Sequence, residues 1–273
     1  MIEIGAALSN IKGQDGIAKV SPSEMAANRV KWYNESAGKL NETDGYDCPE
    51  CKNKGDFWRI DESGSEVRVA CKCQKVRATL RRAQRSGLGN IITQCTFAKF
   101  DDSEPWQKSI KEKAMAFCAD DESRWFYIGG QVGCGKTFIC TAISAHYIKA
   151  GREVKYMLWS EDAKKLKSLA NDISYQDHIE PYKTVDVLYI DDFLKVKQGE
   201  HPTTADMNLA FEIINHRLLD NKKVTIISSE KMLDELLDYD EATMSRIYEK
   251  AGDYKLNIRR DKSRNYRLRG TTV

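Results

Sequence analysis

Residues 130–137 read Gly-Gln-Val-Gly-Cys-Gly-Lys-Thr, which fits the pattern G-x-x-x-x-G-K-[ST] without a mismatch. The apolar run RWFYIG precedes this stretch, and a segment with helical spacing, FICTAISAHYIKA, follows it. Glycines let the backbone turn tightly, so that successive N–H groups point at a phosphate and the positive end of the following helix adds its dipole. We therefore predict a phosphate-binding loop between a strand and a helix, in preference to a glycine turn that only ends a strand.

Each position of this loop has an expected task. Lys136 would reach the β and γ phosphates of a nucleotide, and the hydroxyl of Thr137 would bind magnesium. Cys134 occupies a free position of the pattern, so we expect it to fill the turn and not to act as a nucleophile. The predicted nucleotide-binding residues of the loop are Gly130, Gly133, Cys134, Gly135, Lys136, Thr137 and Phe138.

A second apolar run, VDVLYIDD, ends in Asp191 and Asp192. Ligands bind at the carboxyl ends of strands in open α/β sheets, so both carboxylates are expected beside the loop. Asp191 would hold magnesium directly or through water, and Asp192 would orient or deprotonate the attacking water. Two acids also occur where a solvated helix begins, but next to a phosphate loop they favour hydrolysis of ATP over storage of a nucleotide.

From about Phe126 onward, the runs FYI, VKYMLW, VDVLYI and VTIIS alternate with segments of helical period. This alternation predicts an α/β fold, a parallel sheet covered by helices on both faces. The last of these runs ends in Ser228 and Ser229, and either would serve as a γ-phosphate sensor. Ser229 is the residue we assign to nucleotide binding, although serines also end strands for ordinary turn reasons.

Four of the eight cysteines lie close together before this region, as Cys48-Pro-Glu-Cys51 and Cys71-Lys-Cys73. Four thiolates without an open coordination place make a structural zinc site. Free or redox-active thiols are the other interpretation. Zinc would stabilise a segment too small to build a core by itself. We therefore expect a zinc-binding amino-terminal module over residues 1–85 and an ATPase domain over residues 86–273.

The formal net charge of +2 excludes a uniformly basic nucleic-acid coat and a strongly acidic solvating protein. Basic residues are instead concentrated near residues 72–85 and near the carboxyl end, where the chain carries Lys72, Lys75, Arg77, Arg81, Arg82, Arg85, Lys255, Arg259, Arg260, Lys262, Arg264, Arg267 and Arg269. The first group predicts either a stripe that neutralises phosphates or a linker helix with solvated charges. No run resembles a membrane span or a signal peptide, so a cytoplasmic protein without a membrane partner is expected.

Two further motifs carry a family resemblance, Met244-Ser-Arg246-Ile247 and Arg264-Asn-Tyr-Arg267. Together with the preceding elements, residues 72–273 resemble the AAA+ ATPases of the DnaC/DnaI helicase-loader family, including the related IstB transposase helpers. The resemblance implies that Arg246 is an arginine finger reaching the γ-phosphate of a neighbouring subunit, and that Arg267 is a sensor-2 arginine acting within its own subunit. Without the resemblance, both would be ordinary arginines of a basic surface.

The same resemblance implies AAA+ activity with ATP and Mg²⁺, and Asp192 in place of the glutamate of many relatives suggests slow, switch-like turnover. It also puts Phe97 and Phe100 where related proteins contact adenine. The expected function is an ATP-dependent loader that holds a hexameric replicative helicase, binds single-stranded DNA and forms a homo-oligomer with ATP. The alternatives are a transposase helper binding duplex DNA, a zinc-containing nucleic-acid scaffold with a weak nucleotide switch, and a small-molecule kinase.

Overall fold

The computed structural model describes residues 21–122, 124–197 and 199–268, so predictions for residues 1–20 and for Arg269 lie outside the described part. The chain forms two compact units that divide between Arg77 and Ala78, inside a single helix, Cys73–Arg85. The division predicted after residue 85 lies at the carboxyl end of the same helix. Among the described residues, no helix combines the length and the apolar character needed to cross a bilayer.

The first unit is small and contains two helices, a hairpin and the start of a third helix. Its elements are α1 (Pro22–Glu35), α2 (Leu40–Asp44), β1 (Asp56–Ile60), β2 (Glu66–Ala70) and the start of α3 (Cys73–Arg85). The side chain of Ser21 accepts the backbone N–H of Glu24 while Glu24 accepts that of Ser21, and Pro22 fits the first helical position, so α1 begins there. Strands β1 and β2 pair antiparallel. The buried cluster of this unit consists of cysteines.

The second unit contains a five-stranded parallel sheet in the order β4-β5-β6-β3-β7. After α3 its elements are α4 (Ile91–Gln94), α5 (Pro105–Ala119), β3 (Trp125–Gly130), α6 (Lys136–Lys149), β4 (Val154–Leu158), α7 (Trp159–Ser168), α8 (Tyr175–Thr184), β5 (Val187–Asp191), α9 (Thr204–Leu218), β6 (Val224–Ser229), α10 (Leu233–Leu237), α11 (Glu241–Ala251) and β7 (Lys255–Ile258). Short 3₁₀ turns lie at Phe97–Lys99, Gly252–Tyr254, Lys262–Arg264 and Tyr266–Leu268.

Helices cover both faces of this sheet, which confirms the predicted α/β fold. Every residue of β3, β5 and β6 is buried, as expected for central parallel strands. Alternate residues of β5 enter different cores: Val187 and Tyr189 pack with α5 and α6, whereas Leu188 and Ile190 pack with the helices from α7 to α11. The carboxyl ends of β3, β5 and β6 therefore meet at one edge of the sheet, between two helical layers.

Candidate functional site

The phosphate-binding pattern folds as the sequence predicts, as a tight loop from the end of β3 to the start of α6. Gly130, Gly133 and Gly135 all have positive φ, at 105°, 73° and 92°. At Gly133 a Cβ atom would lie 2.0 Å from Oδ1 of Asn265, so the close approach of the carboxyl-terminal segment also requires glycine. Gly135 is the N-cap of α6, which directs the positive end of that helix into the loop.

The side chain of Lys136 lies inside the loop and is only 7 % exposed. Its Nζ donates to the carbonyl oxygen atoms of Gly130 at 2.9 Å and Gln131 at 2.7 Å. Burial lowers the pKa of Lys136, against the opposing effect of nearby acidic groups that include Glu230 and Asp192. A cation is thus held at the place where the sequence pattern puts the β and γ phosphates.

Asp191, at the end of β5, lies beside the loop and is 4 % exposed. The Thr137 hydroxyl donates to Oδ1 of Asp191 at 3.2 Å, so the two predicted magnesium ligands are adjacent. The hydroxyl of Ser228 also donates to Oδ1, and that of Tyr156 on β4 donates to Oδ2 at 3.0 Å. Oxygen ligands from a hydroxyl and a carboxylate suit Mg²⁺, so the residues present fit this ion. Tyr156 was not foreseen from the sequence.

Asp192 follows directly, and its backbone is in the left-handed region, with a φ of 54°. Its carboxylate pairs with Lys195 at 2.9 Å, and Lys195 also pairs with Glu230 at 2.8 Å. Burial lowers the pKa of Lys195, but the hydrogen bonds to both acids raise it above its usual value. Lys195 and Glu230 were missed by the sequence analysis; the only signal was that Glu230 follows a buried strand.

The two serines at the end of β6 have different contacts. Ser228 bonds to Asp191, whereas the Ser229 hydroxyl donates to the carbonyl oxygen of Phe193 at 2.9 Å and accepts the N–H of Lys231. Ser229 is fully buried. The structure therefore places Ser228, and not the predicted Ser229, against the magnesium-side carboxylate.

A cleft of about 430 Å³ opens at this edge of the sheet, and its lining includes Lys136, Thr137, Phe138, Asp192, Lys195, Glu230, Phe100, Tyr266 and Arg267. Arg267 reaches it because the N–H of Tyr266 donates to the carbonyl oxygen of Gly133 at 2.9 Å. Phe100 packs on the ring of Phe138, with 5.6 Å between centroids. Phe97 is not part of this lining and instead packs against the core.

Arg246, the predicted finger, is not part of this lining. It lies on α11, where its guanidinium stacks over the ring of Phe211, 5.4 Å from the centroid. Its Nη1 is buried and finds no hydrogen-bond acceptor among the described residues. Within one chain, the structure brings Lys136, Asp191, Asp192 and Arg267 together and keeps Arg246 apart.

The four cysteines predicted to bind zinc are all buried, and their sulfurs lie within 4.8 Å of one another. The distance is 3.8 Å from Cys48 to Cys71 and 3.6 Å from Cys51 to Cys73. Four sulfurs at about 2.3 Å from a tetrahedral zinc are about 3.8 Å apart, so the cluster fits this ion. Burial alone would raise the pKa of Cys51, but the N–H of Gly55 and the neighbouring thiols lower it to about 7.

One member of the predicted basic stripe has a different role. Arg77 is 1 % exposed, and its guanidinium donates to Asp44 and Asn53 inside the first unit. Asn53 in turn accepts the N–H of Cys48 at 2.8 Å. Arg77 is therefore a buried support of the cysteine loop and cannot be part of a solvated or phosphate-facing stripe. Farther along α3, Arg82 and Arg85 pair with Glu153.

Comparison with known proteins agrees with this geometry. The profile of the family described as IstB-like ATP binding protein matches residues 68–247. The phage-like element PBSX protein XkdC of Bacillus subtilis (strain 168) is 31 % identical over 238 residues, which cover 82 % of this chain and 87 % of that protein. The uncharacterized protein YqaM of the same strain is 28 % identical over 273 residues, with coverage of 82 % and 86 %.

Among solved structures, the crystal structure of the DnaC helicase loader is 17 % identical, with a TM-score of 0.51, and covers 63 % of this chain and 99 % of its own. At that identity the likeness concerns the fold. The sequence resemblance to the DnaC/IstB-like group is confirmed by the family match. With its phosphate loop, adjacent carboxylates and parallel sheet, the chain belongs to the IstB-like ATP-binding family and has an AAA+-like fold.

Proposed function

We propose that the chain is an ATP-dependent loader that engages a hexameric replicative helicase and single-stranded DNA, and that ATP binding between copies assembles it. The observation that carries this proposal is the position of Arg246. Its guanidinium is outside the nucleotide cleft of its own chain, and its buried Nη1 has no acceptor among the described residues. A finger supplied by a neighbour makes hydrolysis depend on assembly.

The residues of the cleft have separate tasks in this proposal. Lys136 binds the β and γ phosphates, Arg267 contacts the nucleotide within its own chain, and Asp192 orients the attacking water. Thr137 and Asp191 would hold Mg²⁺, which when bound neutralises charge on the phosphate oxygens. The carboxylate of Asp192 is already engaged in an ion pair with Lys195, which supports slow, switch-like turnover.

The proposal of a helicase partner is supported by the structural similarity to the DnaC helicase loader and by the presence of a separate first unit with a cluster of four cysteines. We propose that residues 1–85, with zinc held by the four cysteines, contact the helicase. The ATPase domain, residues 86–273, would contact single-stranded DNA. The family match favours a second candidate, a transposase helper that binds duplex DNA as an ATP-dependent oligomer.

Mixing two inactive variants tests the assembly step. Lys136→Ala removes nucleotide binding but keeps Arg246, whereas Arg246→Ala keeps nucleotide binding but lacks the finger. Each variant alone should hydrolyse ATP at least about 10³-fold more slowly than the wild type, and the mixture should recover activity. Lys250→Ala, an exposed change on the same helix, is the matched control and should behave like the wild type. Absence of recovery in the mixture would show that Arg246 does not act on a neighbour.

Partner and nucleic-acid preference are measured separately. The wild-type chain, with ATP, is expected to bind a purified replicative hexamer and to increase its placement on single-stranded DNA. Preference for duplex DNA without binding to the hexamer would support the transposase-helper function instead. ATPase activity that depends on Arg246 but involves neither partner would refute the loader function while leaving the assembly step intact.

A further inference from the structure

The carboxylate of Asp191 is surrounded by hydroxyl groups. Thr137 and Ser228 both donate to Oδ1, and Tyr156 donates to Oδ2 at 3.0 Å. In the described part of the chain, no lysine, arginine or histidine forms an ion pair with Asp191. The backbone N–H of Asp192 also donates to Oδ1, at 3.2 Å. The orientation of this carboxylate is therefore set by hydrogen bonds alone, three of them from hydroxyl groups on different elements, and Tyr156 is the donor to Oδ2.

These three hydroxyl donors do not all act on the same oxygen atom. Thr137 itself is a proposed magnesium ligand, and Ser228 shares the oxygen that Thr137 contacts. Tyr156 holds the opposite oxygen, so its bond fixes the rotation of the carboxylate about the Cβ–Cγ bond. Such outer hydrogen bonds orient the groups that hold a metal ion, and their loss typically weakens metal affinity or activity by about 10–100-fold.

Tyr156 is itself held firmly. Its backbone N–H donates to the carbonyl oxygen of Ser86 at 2.7 Å, at the end of α3. Its ring meets that of Tyr189 on the adjacent strand, with 5.2 Å between centroids. A Cβ atom at Gly87, where φ is 86°, would lie 3.6 Å from Cβ of Tyr156, so the loop after α3 packs closely over this residue. The hydroxyl is thus aimed at Asp191 by a fixed backbone and a packed ring.

We propose that Tyr156 is a positioning residue for ATP hydrolysis, one that orients Asp191 through its Oδ2 atom so that Oδ1 and the Thr137 hydroxyl face Mg²⁺ together. The inference rests on the proposed role of Asp191 in holding Mg²⁺ and does not depend on the helicase partner. It predicts a change in the dependence of activity on Mg²⁺, and no change in the binding of nucleotide without Mg²⁺, which Lys136 and the loop provide.

Tyr156→Phe tests the proposal because it removes the hydroxyl and keeps the ring. In the full chain, the Mg²⁺ concentration that gives half-maximal ATP hydrolysis should rise about tenfold. Affinity for a fluorescent ATP analogue in EDTA should stay unchanged. The matched control is Tyr175→Phe, which removes another tyrosine–carboxylate hydrogen bond, to Glu212 at 2.6 Å, away from the cleft. That variant should have the Mg²⁺ dependence of the wild type.

Two results would overturn the inference. If Tyr156→Phe and Tyr175→Phe have the same Mg²⁺ dependence while Asp191→Asn abolishes hydrolysis, then Asp191 acts as proposed but Tyr156 does not position it. If Asp191→Asn retains Mg²⁺-dependent hydrolysis, the proposed role of Asp191 is wrong, and the inference fails with it. Thermal unfolding of all three variants, followed together with hydrolysis, separates these effects from a general loss of stability.

Discussion

Replacing Arg77 with alanine should destabilise the first unit by about 3 kcal/mol. The Arg77 and Asp44 side chains are 1 % and 3 % exposed, so the change removes the positive charge that faces a buried carboxylate. Breaking such a pair costs about 3–5 kcal/mol of folding free energy. We use the lower value because buried groups in so small a unit lie close to the solvent. The change also removes the hydrogen bond from Arg77 to Oδ1 of Asn53, at 2.9 Å. The same oxygen atom accepts the backbone N–H of Cys48.

Release of zinc to a chromogenic chelator during a urea titration measures this effect. Elemental analysis should first show about one zinc per chain, since four thiolates hold one ion. A unit of this size unfolds with a slope of about 1 kcal/mol per molar urea, so the midpoint should fall by about 3 M. If the wild-type chain releases zinc with a midpoint below about 3 M urea, the Arg77→Ala variant should release zinc without urea.

Arg81→Ala is the matched control, because Arg81 is on the same helix and exposed. Its release midpoint should stay within experimental error of the wild type. Equal midpoints for the Arg77 and Arg81 variants would refute the idea that Arg77 supports the cysteine loop. The same two variants test the phosphate-binding stripe. Arg81→Ala removes an exposed cation and should reduce the salt dependence of DNA binding, whereas Arg77→Ala removes a buried one and should leave it unchanged.

Two further predictions concern the second unit. Gly133→Ala should weaken ATP binding and lower the unfolding temperature, because the new Cβ would lie 2.0 Å from Oδ1 of Asn265 at a φ of 73°; calorimetry measures both. Although burial raises the pKa of Asp206, its bond to Lys167 contributes to a net lowering. Its stabilising contribution is therefore present above about pH 4 and is lost as the pH falls through the lower folded pKa. Asp206→Asn should make acid unfolding less steep there, and an unchanged profile would contradict this.

The sequence was sufficient for features that depend on neighbouring positions in the chain. The phosphate loop is one contiguous stretch, and glycines stand at the positions where its backbone needs a positive φ. Asp191 was predictable because a fully buried strand must end at the ligand-binding edge of a parallel sheet. The cysteine cluster was also predictable, because the members of each pair are close in the sequence. A single hairpin, β1–β2, is enough to bring the two pairs together.

Contacts across strands were not accessible to the same reasoning. Tyr156 meets Asp191 only because β4 lies beside β5 in a particular register, and neither residue reveals that register in the sequence. The choice between Ser228 and Ser229 depends on which of these two residues of β6 lies level with Asp191 and on the same face of the sheet. The basic neighbours of Arg77 in the sequence predict that it belongs to a basic stripe, whereas its partner Asp44 lies 33 positions earlier in the chain.

Two buried arginine groups show how structure separates support from function. Arg217 donates to the Thr225 hydroxyl and to several carbonyl oxygen atoms, including that of Val224 at 2.7 Å. These bonds satisfy a side chain that is fully buried, so Arg217 is explained by the fold alone. Arg246 differs, because stacking on Phe211 orders its guanidinium while the buried Nη1 has no acceptor among the described residues. An unsatisfied buried donor is costly. Arg246 as a whole is only partly buried, so a movement of its side chain that exposes Nη1 would let it meet an anionic group supplied from outside the chain. That difference is the physical reason to look for the acceptor of Arg246 in a nucleotide held by a second copy.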